Sequence, residues 1–217
     1  MTSQDQIARL RISLDESEPE IWRRVEVPLG ASLKDLHDII QAAMGWEDAH
    51  LWEFEAAGRV YGTPDPGWDR DISSAKSTRL ESLVKAGVRE FTYVYDMGDN
   101  WQHTIAVEAI EAADPAQLYP RFVDGERRCP PEDVGGIDGY YAFVEAMGDP
   151  AHEEHGQMLD WYGEAYDPDD LDLSLIRQRI GALARCRAAG SDASRKSKPQ
   201  PRRPSADAYG FASTTAA

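Results

Sequence analysis

Two runs near the start of the chain alternate between apolar and polar residues, a pattern typical of β-strands. In residues 7–14 every second position is apolar, and residues 21–27 alternate in the same way before Pro28. The second run places Arg23 on the face that also carries Val25. The turn-like DESEPE segment between the two runs predicts that they pair as an antiparallel hairpin.

Apolar residues then recur at helical spacing. This predicts an α-helix with Ser32 as its N-cap, which runs to Met44 and ends at Gly45. The same criterion predicts four further helices. They cover residues 80–86, 140–147, 152–162 and 171–187.

The strongest hairpin signal comes from two β-rich runs over residues 91–110, which flank a loop at residues 97–100. Shorter strands are predicted over residues 51–56 and 60–61. The strands come before most of the helices, and this order favours the α+β class.

Proline and glycine mark two segments as irregular. Residues 62–77 contain several of both and predict a long loop. In residues 119–139 the pairs Pro130-Pro131 and Gly135-Gly136 predict an absence of regular structure.

The predicted architecture is a single domain over residues 1–187. It consists of a mostly antiparallel sheet covered by helices near residues 33–44 and 139–187. Residues 188–217 are rich in Ser, Pro and Ala with few large apolar residues, so they are predicted to form a disordered tail.

Charge is distributed unevenly between the two parts. The chain has 39 Asp+Glu against 23 Lys+Arg, a formal net charge of −16. The tail holds five basic and two acidic residues, which leaves −19 for residues 1–187. The basic residues of the tail are Arg195, Lys196, Lys198, Arg202 and Arg203.

An acidic domain repels phosphate backbones, so we expect a protein partner, a basic one, rather than naked DNA. The tail is either a solvated segment that helps solubility or a basic segment that contacts nucleic acid or the acidic domain itself, and nucleic acid is expected to bind only through it. No apolar run is long enough for a membrane span, and the N-terminus lacks the apolar region of a secretory signal. The two cysteines do not suggest a disulfide framework, so a cytoplasmic protein without membrane contact is expected.

Asp96, Asp99 and His103 lie around one tight hairpin and form the first candidate site. Carboxylates and an imidazole at a loop can bind a divalent metal or act as acid and base. If Asp96 pairs with Trp101, then Asp96 and His103 share a face of the sheet, whereas a shift of one residue separates them. The alternative is structural: the carboxylates bond the backbone of the turn, and His103 is a sheet residue.

The segment Cys129-Pro-Pro-Glu132-Asp133 adds a thiol and two carboxylates. These groups either complete a mixed metal site or simply belong to a turn fixed by the two prolines. The candidate metal ligands are therefore Asp96, Asp99, His103, Cys129 and Glu132.

Several catalytic signatures are absent from the sequence. There is no phosphate-binding glycine loop, no G-x-S-x-G elbow, and no pair of C-x-x-C units. The HEEH sequence at residues 152–155 has its histidines three residues apart, not four as in the zinc-protease helix. An NTPase, a common hydrolase and a zinc ribbon are thereby disfavoured.

Five ordered motifs resemble the plasmid pRiA-type ORF-3-like family, which includes insertion-element proteins named TnpR. The motifs are EIWRRV (20–25), LHDIIQAAMGW (36–46), YVYDMGDNWQH (93–103), CPPEDVGG (129–136) and DPAHEEH (149–155). The resemblance implies a compact α+β domain, often encoded on plasmids or mobile elements, without an established activity. The residues that a serine or tyrosine recombinase requires are not found here. Phe122 stands where relatives often have a second Cys, which argues against a pair of thiolate ligands.

We therefore expect a non-enzymatic accessory or protein-interaction module of a plasmid or mobile element. The alternative is a metal-dependent enzyme, hydrolase-like, with a site that unites the hairpin and the Cys129 segment around a divalent metal. Nucleic-acid binding through the tail is the third hypothesis.

Overall fold

A computed structural model describes residues 6–65, 67 and 70–196, which form one sheet and five helices. The strands are β1 (Gln6–Leu14), β2 (Ile21–Pro28), β3 (Trp52–Ala56), β4 (Arg59–Gly62), β5 (Ile72–Ser74), β6 (Glu90–Tyr95), β7 (Trp101–Ala112) and β8 (Arg121–Glu126). The helices are α1 (Leu33–Met44), α2 (Leu80–Lys85), α3 (Gly136–Gly148), α4 (His155–Tyr162) and α5 (Leu173–Lys196). None of the described helices is long and apolar enough to span a membrane.

The sheet runs in the order β5-β4-β3-β6-β7-β1-β2-β8, and every neighbouring pair is antiparallel except β4 with β5. The predicted hairpins β1–β2 and β6–β7 are both confirmed, and pairing of β7 with β1 joins them at the centre of the sheet. The predicted α+β class is therefore confirmed.

Two strands lie where irregular structure was predicted. β8 falls within residues 119–139, and β5 falls within residues 62–77. β8 pairs with the edge of β2, with Phe122 opposite Val25, and β5 pairs with β4 over only three residues. Both strands form because a neighbouring edge supplies partners for their backbone, which local composition does not reveal.

Helix α1 has the predicted boundaries because both ends are capped. The Ser32 side chain accepts a hydrogen bond from the Asp35 N–H, and the Asp35 carboxylate accepts one from the Ser32 N–H. Gly45 ends the helix in the left-handed conformation, with φ of 96°.

The later helices differ from the prediction at their ends. α3 begins at Gly136, four residues before the predicted start, and α4 begins at His155 rather than at residue 152. α5 continues past residue 187 to Lys196, so the first part of the predicted disordered tail is helical. The rest of that prediction, over residues 197–217, lies outside the described residues.

The two faces of the sheet differ in chemistry. One face is packed with apolar side chains under the helices, including Leu10, Ile12 and Val25. The other face of the β1–β2–β7–β8 region carries ion pairs between strands, such as Arg24 with Glu108. This alternation is the pattern expected of an antiparallel sheet covered on one side.

Arg23 is a charged residue on the apolar face, and its side chain is fully buried. Its guanidinium donates to the backbone oxygens of Ala43, Trp22 and Glu126, at distances between 2.8 and 2.9 Å. These bonds tie the end of α1 to β2 and to the end of β8. Burial lowers the pKa of Arg23, since none of the described carboxylates forms an ion pair with it to offset its desolvation.

We expect Arg23→Ala to lower the free energy of unfolding by about 3 kcal/mol, because it leaves buried carbonyls unpaired and a cavity behind. Arg24→Ala is the matched control, since Arg24 points to the opposite face and its ion pair with Glu108 is partly exposed. Its cost should be below about 1 kcal/mol. Urea denaturation of both variants measures the difference, and equal losses would contradict the role assigned to Arg23.

Candidate functional site

Three loops meet at one end of the sheet. The first leads from α1 into β3, the second joins β6 to β7, and the third leads from β8 into α3. Trp52 pairs with Tyr95, and Tyr95 pairs with Trp101, so the first two loops extend from the same end. The third loop is attached by Asp99, whose Oδ2 accepts a hydrogen bond from the Gly135 N–H at 3.1 Å.

The β6–β7 register differs from the one that would place Asp96 and His103 on the same face of the sheet. Tyr95 pairs with Trp101 and Tyr93 pairs with His103, which turns these four side chains into the core. Asp96 lies in the turn itself, with φ of 55°. The hairpin therefore separates His103 from the carboxylates that sequence spacing grouped with it.

His103 is fully buried and packs edge-on against Trp46, with ring centroids 5.3 Å apart. Its Nδ1 lies 3.4 Å from the Tyr93 carbonyl oxygen, and its Nε2 has no hydrogen-bond partner within the described part of the chain. Burial lowers the pKa of His103 to about 4, so the ring is neutral at neutral pH. Trp101, another residue of the predicted motif, is also buried and packs beside Trp46 in the core.

Asp96 and Asp99 shape the turn between β6 and β7. Asp96 Oδ1 accepts hydrogen bonds from the Gly98 N–H at 2.9 Å and from the Asp99 N–H at 3.3 Å. Gly136 lies against this turn with φ of 70°, and a Cβ there would come within 2.7 Å of the Asp99 carbonyl oxygen. Glycine is thus required where α3 meets the turn.

The Cys129 segment divides between core and surface. Cys129 is buried, and burial raises the pKa of its thiol to about 12. Glu132 Oε1 accepts a hydrogen bond from the Tyr95 hydroxyl at 2.6 Å and one from the Glu47 N–H at 2.9 Å. The Asp133 side chain is 71% exposed and projects from a residue with φ of 58°. Of Cys129, Glu132 and Asp133, it is Asp133 whose carboxylate lies near that of Asp96 in the hairpin turn.

His50 completes the site and was not among the residues predicted for it. Its Nδ1 lies 3.6 Å from Asp96 Oδ2, and its Nε2 lies 3.3 Å from Asp133 Oδ1. One ligand atom from each of His50, Asp96 and Asp133 lies within 4.8 Å of the other two. His50 comes two residues before the strand that pairs with β6, so the strand order, not sequence spacing, brings it to Asp96.

Among the described residues, one other group has ligand atoms this close together: His37, Asp38 and Asp48. A cation already lies there, since Lys34 Nζ is 2.5 Å from Asp38 Oδ1 and 3.6 Å from Asp48 Oδ2. Both His37 ring nitrogens are also engaged, so this group is an ion-pair network rather than a metal centre. Cys129 and His103 belong to neither group.

The His37 network positions the loop that carries His50. His37 Nε2 lies 2.8 Å from Asp48 Oδ1, and the Gln41 side-chain oxygen accepts from the Asp48 N–H at 2.9 Å. The Tyr93 hydroxyl links the two side chains, 2.8 Å from His37 Nδ1 and 3.0 Å from Gln41 Nε2. Burial lowers the pKa of His37 to about 4, so its neutral form bridges Tyr93 and Asp48.

The Tyr95 hydroxyl connects two of the three loops. It accepts a hydrogen bond from the Ala49 N–H at 3.0 Å and donates one to Glu132. Burial and the neighbouring carboxylate raise the pKa of Tyr95, so the hydroxyl stays protonated and keeps its donor. The same hydroxyl therefore holds the residues next to His50 and next to Asp133.

Three comparisons place the chain among proteins of unassigned activity. The sequence profile of plasmid pRiA4b ORF-3-like proteins matches residues 6–175. The uncharacterized protein y4hQ of Sinorhizobium fredii (strain NBRC 101917 / NGR234) is 39% identical over 180 residues, which cover 82% of this chain and 92% of y4hQ. The crystal structure of a protein of unknown function from Methanosarcina mazei Go1, MM3350, has a TM-score of 0.71 at 35% identity and covers 77% of this chain and 95% of its own.

We expect Tyr95→Phe to lower the free energy of unfolding by about 2 kcal/mol, because two hydrogen bonds are lost at a buried position. Tyr119→Phe is the control, since its hydroxyl accepts a single hydrogen bond, from the Asp114 N–H, in an exposed loop. Chemical denaturation measures both variants. A Tyr95→Phe variant as stable as wild type would show that the hydroxyl does not hold the loops.

We expect the buried His103 to lower the free energy of unfolding as the pH falls. The unfolded chain takes up this proton near pH 6.5, whereas the folded protein takes it up only near pH 4. The stabilising contribution is complete above pH 6.5 and falls by about 3 kcal/mol between pH 6.5 and pH 4. His103→Gln should flatten that decline in thermal or urea unfolding, while the surface change His152→Gln should leave it intact.

Proposed function

The chain belongs to the plasmid pRiA4b ORF-3-like family, whose relatives named above have no assigned activity, and we propose that it is a divalent-metal-dependent enzyme of the hydrolase class. The observation that carries this proposal is the convergence of His50, Asp96 and Asp133 from three separate loops. It favours the enzyme over the accessory role because the hairpin motif and the Cys129 segment each supply one of its side chains.

The donor set suits a divalent transition metal. One imidazole nitrogen and two carboxylate oxygens are ligands that zinc and manganese accept. The Asp96 carboxylate is oriented to bind a metal. Its Oδ1 accepts hydrogen bonds from backbone N–H groups of the turn, while its Oδ2 faces His50. Such hydrogen bonds to the second oxygen of a ligand fix its orientation.

Three protein ligands leave coordination positions open, as in catalytic rather than structural metal sites. A divalent cation in such a site lowers the pKa of bound water and polarises a carbonyl or phosphoryl oxygen. Exposure of Asp133 at 71% leaves the site open to solvent and to a substrate on that side. Hydrolysis of an ester is the reaction class that this arrangement supports best.

We expect untagged protein to bind zinc or manganese, and His50→Ala to weaken binding by more than about tenfold, because one of three ligands is lost. Isothermal titration with each metal measures the affinity, and elemental mass spectrometry measures what is retained on purification. Asp133→Asn should weaken binding in the same direction. His152→Ala and Asp124→Asn, which change similar groups elsewhere on the surface, are the controls.

Equal metal affinity in His50→Ala and wild type would refute the site. Turnover of chromogenic phosphate and carboxylic esters by the metal-loaded protein, lost in His50→Ala, would support the enzyme. Metal binding without turnover of either ester class would leave a metal-binding protein and reject the hydrolase.

The second candidate is an accessory module that binds a basic protein. It is favoured by two apolar side chains exposed beside the same acidic loops, Leu51 at 56% and Met97 at 40%. They are close together, since the Asp96 N–H donates to the Leu51 carbonyl oxygen at 2.9 Å. An apolar pair with carboxylates around it suits a partner that presents an apolar residue among basic ones.

A further inference from the structure

A groove of about 380 Å³ opens on the helical side of the domain, away from the ion pairs of the sheet. It lies between the end of α1, the Cys129 segment, the end of α4 and the start of α5. Aromatic side chains line it, namely Trp46, Trp161 and Tyr162, together with the apolar Leu175 and Ile176 of α5. Trp46 is buried at the base of the groove. Trp161 is 49% exposed and α4 contributes no buried residue, so the aromatic wall formed by Trp161 and Tyr162 faces solvent.

The groove also carries carboxylates without a basic partner. Its two arginines are each engaged by a glutamate, Arg128 by Glu164 and Arg179 by Glu47. Among the described residues, Glu132 and Asp172 line the groove and form no ion pair within 4.0 Å. A ligand that brings two positive charges to an apolar surface is therefore complementary to it.

The sequence beyond α5 has that chemistry. Pro201-Arg202-Arg203-Pro204 places two arginines between two prolines, in a stretch that also contains Pro199. Segments of the P-x-x-P type dock on aromatic-lined grooves as polyproline II helices. In such a helix, which has three residues per turn, the two prolines of a P-x-x-P segment share one edge and the two residues between them occupy the others.

We propose that residues 199–204 of a second copy of the chain dock in this groove. The prolines pack against Trp161 and Tyr162, and the arginines pair with Glu132 and Asp172. Two copies exchange their C-terminal segments in this way, and each groove receives the segment of the other copy.

Chain length assigns the segment to a second copy rather than to the same one. α5 rises about 1.5 Å per residue, so its end at Lys196 is about 30 Å from Leu175 in the groove. From Lys196 to Pro201 an extended chain spans at most about 18 Å. Arg179, the α5 residue of the groove nearest to that end, is still about 26 Å from Lys196, so Pro201 does not reach the groove of its own copy and the two prolines cannot occupy it together.

Sedimentation velocity of the full-length chain over a range of concentrations tests the proposal. We expect a reversible dimer that Trp161→Ala weakens by about tenfold or more, because the aromatic wall is an anchor for the prolines. The full-length Pro201→Ala/Pro204→Ala double variant should weaken it to a similar extent. Leu118→Ala, an apolar side chain exposed at 54% outside the groove, is the matched control and should leave the dimer unchanged.

Mixing the two altered proteins distinguishes exchange from other modes of self-association. Trp161→Ala keeps its segment and the double variant keeps its groove, so a mixed pair has one intact contact whereas either variant alone has none. We expect the mixture to associate more tightly than each variant separately. Circular dichroism checks that Trp161→Ala is folded, and Asp172→Asn provides a second, milder change in the groove.

A wild-type chain that stays monomeric at every concentration overturns the proposal. A dimer that is insensitive to both variants, or a mixture no tighter than its components, overturns it as well. A monomer that nevertheless binds a synthetic peptide of residues 197–208 would show a groove for proline-rich basic segments of another protein, and would reject the second copy as its occupant.

Discussion

The register between β6 and β7 is the constraint on which the rest of the structure depends. A strand that slips by one residue sends every side chain to the opposite face. In the observed pairing Tyr93 and Tyr95 lie inside with Trp101 and His103, and Asp96 is left in the turn. The Tyr95 hydroxyl then bonds two of the loops directly, and the Tyr93 hydroxyl bonds the α1 side chains that hold Asp48. The choice of register therefore also decides where the loops of the candidate site lie.

Buried polar side chains of the core hold the loop that carries His50. Tyr93 joins His37 and Gln41, which hold Asp48, while Tyr95 holds Ala49 directly. The short loop before β3 is therefore fixed from two sides, and His50 follows it with little freedom. Buried polar networks of this kind are expensive unless every member is bonded, and here they are repeatedly directed to backbone N–H groups near the candidate ligands.

The local sequence pattern was sufficient to predict elements whose own residues specify them. The alternation of β1 and β2, the cap at Ser32 and the turn at residues 97–100 all predicted structure correctly. Features that depend on distant partners were missed. The strand β8 exists because β2 offers it an edge, and α3, which was predicted, begins four residues early, at Gly136, where the turn around Asp99 lies against it. His50 was missed for the same reason, since its neighbours are set by the order of strands.

The three loops of the candidate site have a consequence for folding. His50, Asp96 and Asp133 are far apart along the chain, so the unfolded protein has no preformed arrangement of them. An ion bound there would act as a reversible cross-link that closes two long segments of chain at once. Its binding free energy is then added to the stability of the native state, and the supply of metal would set how much of the protein stays folded.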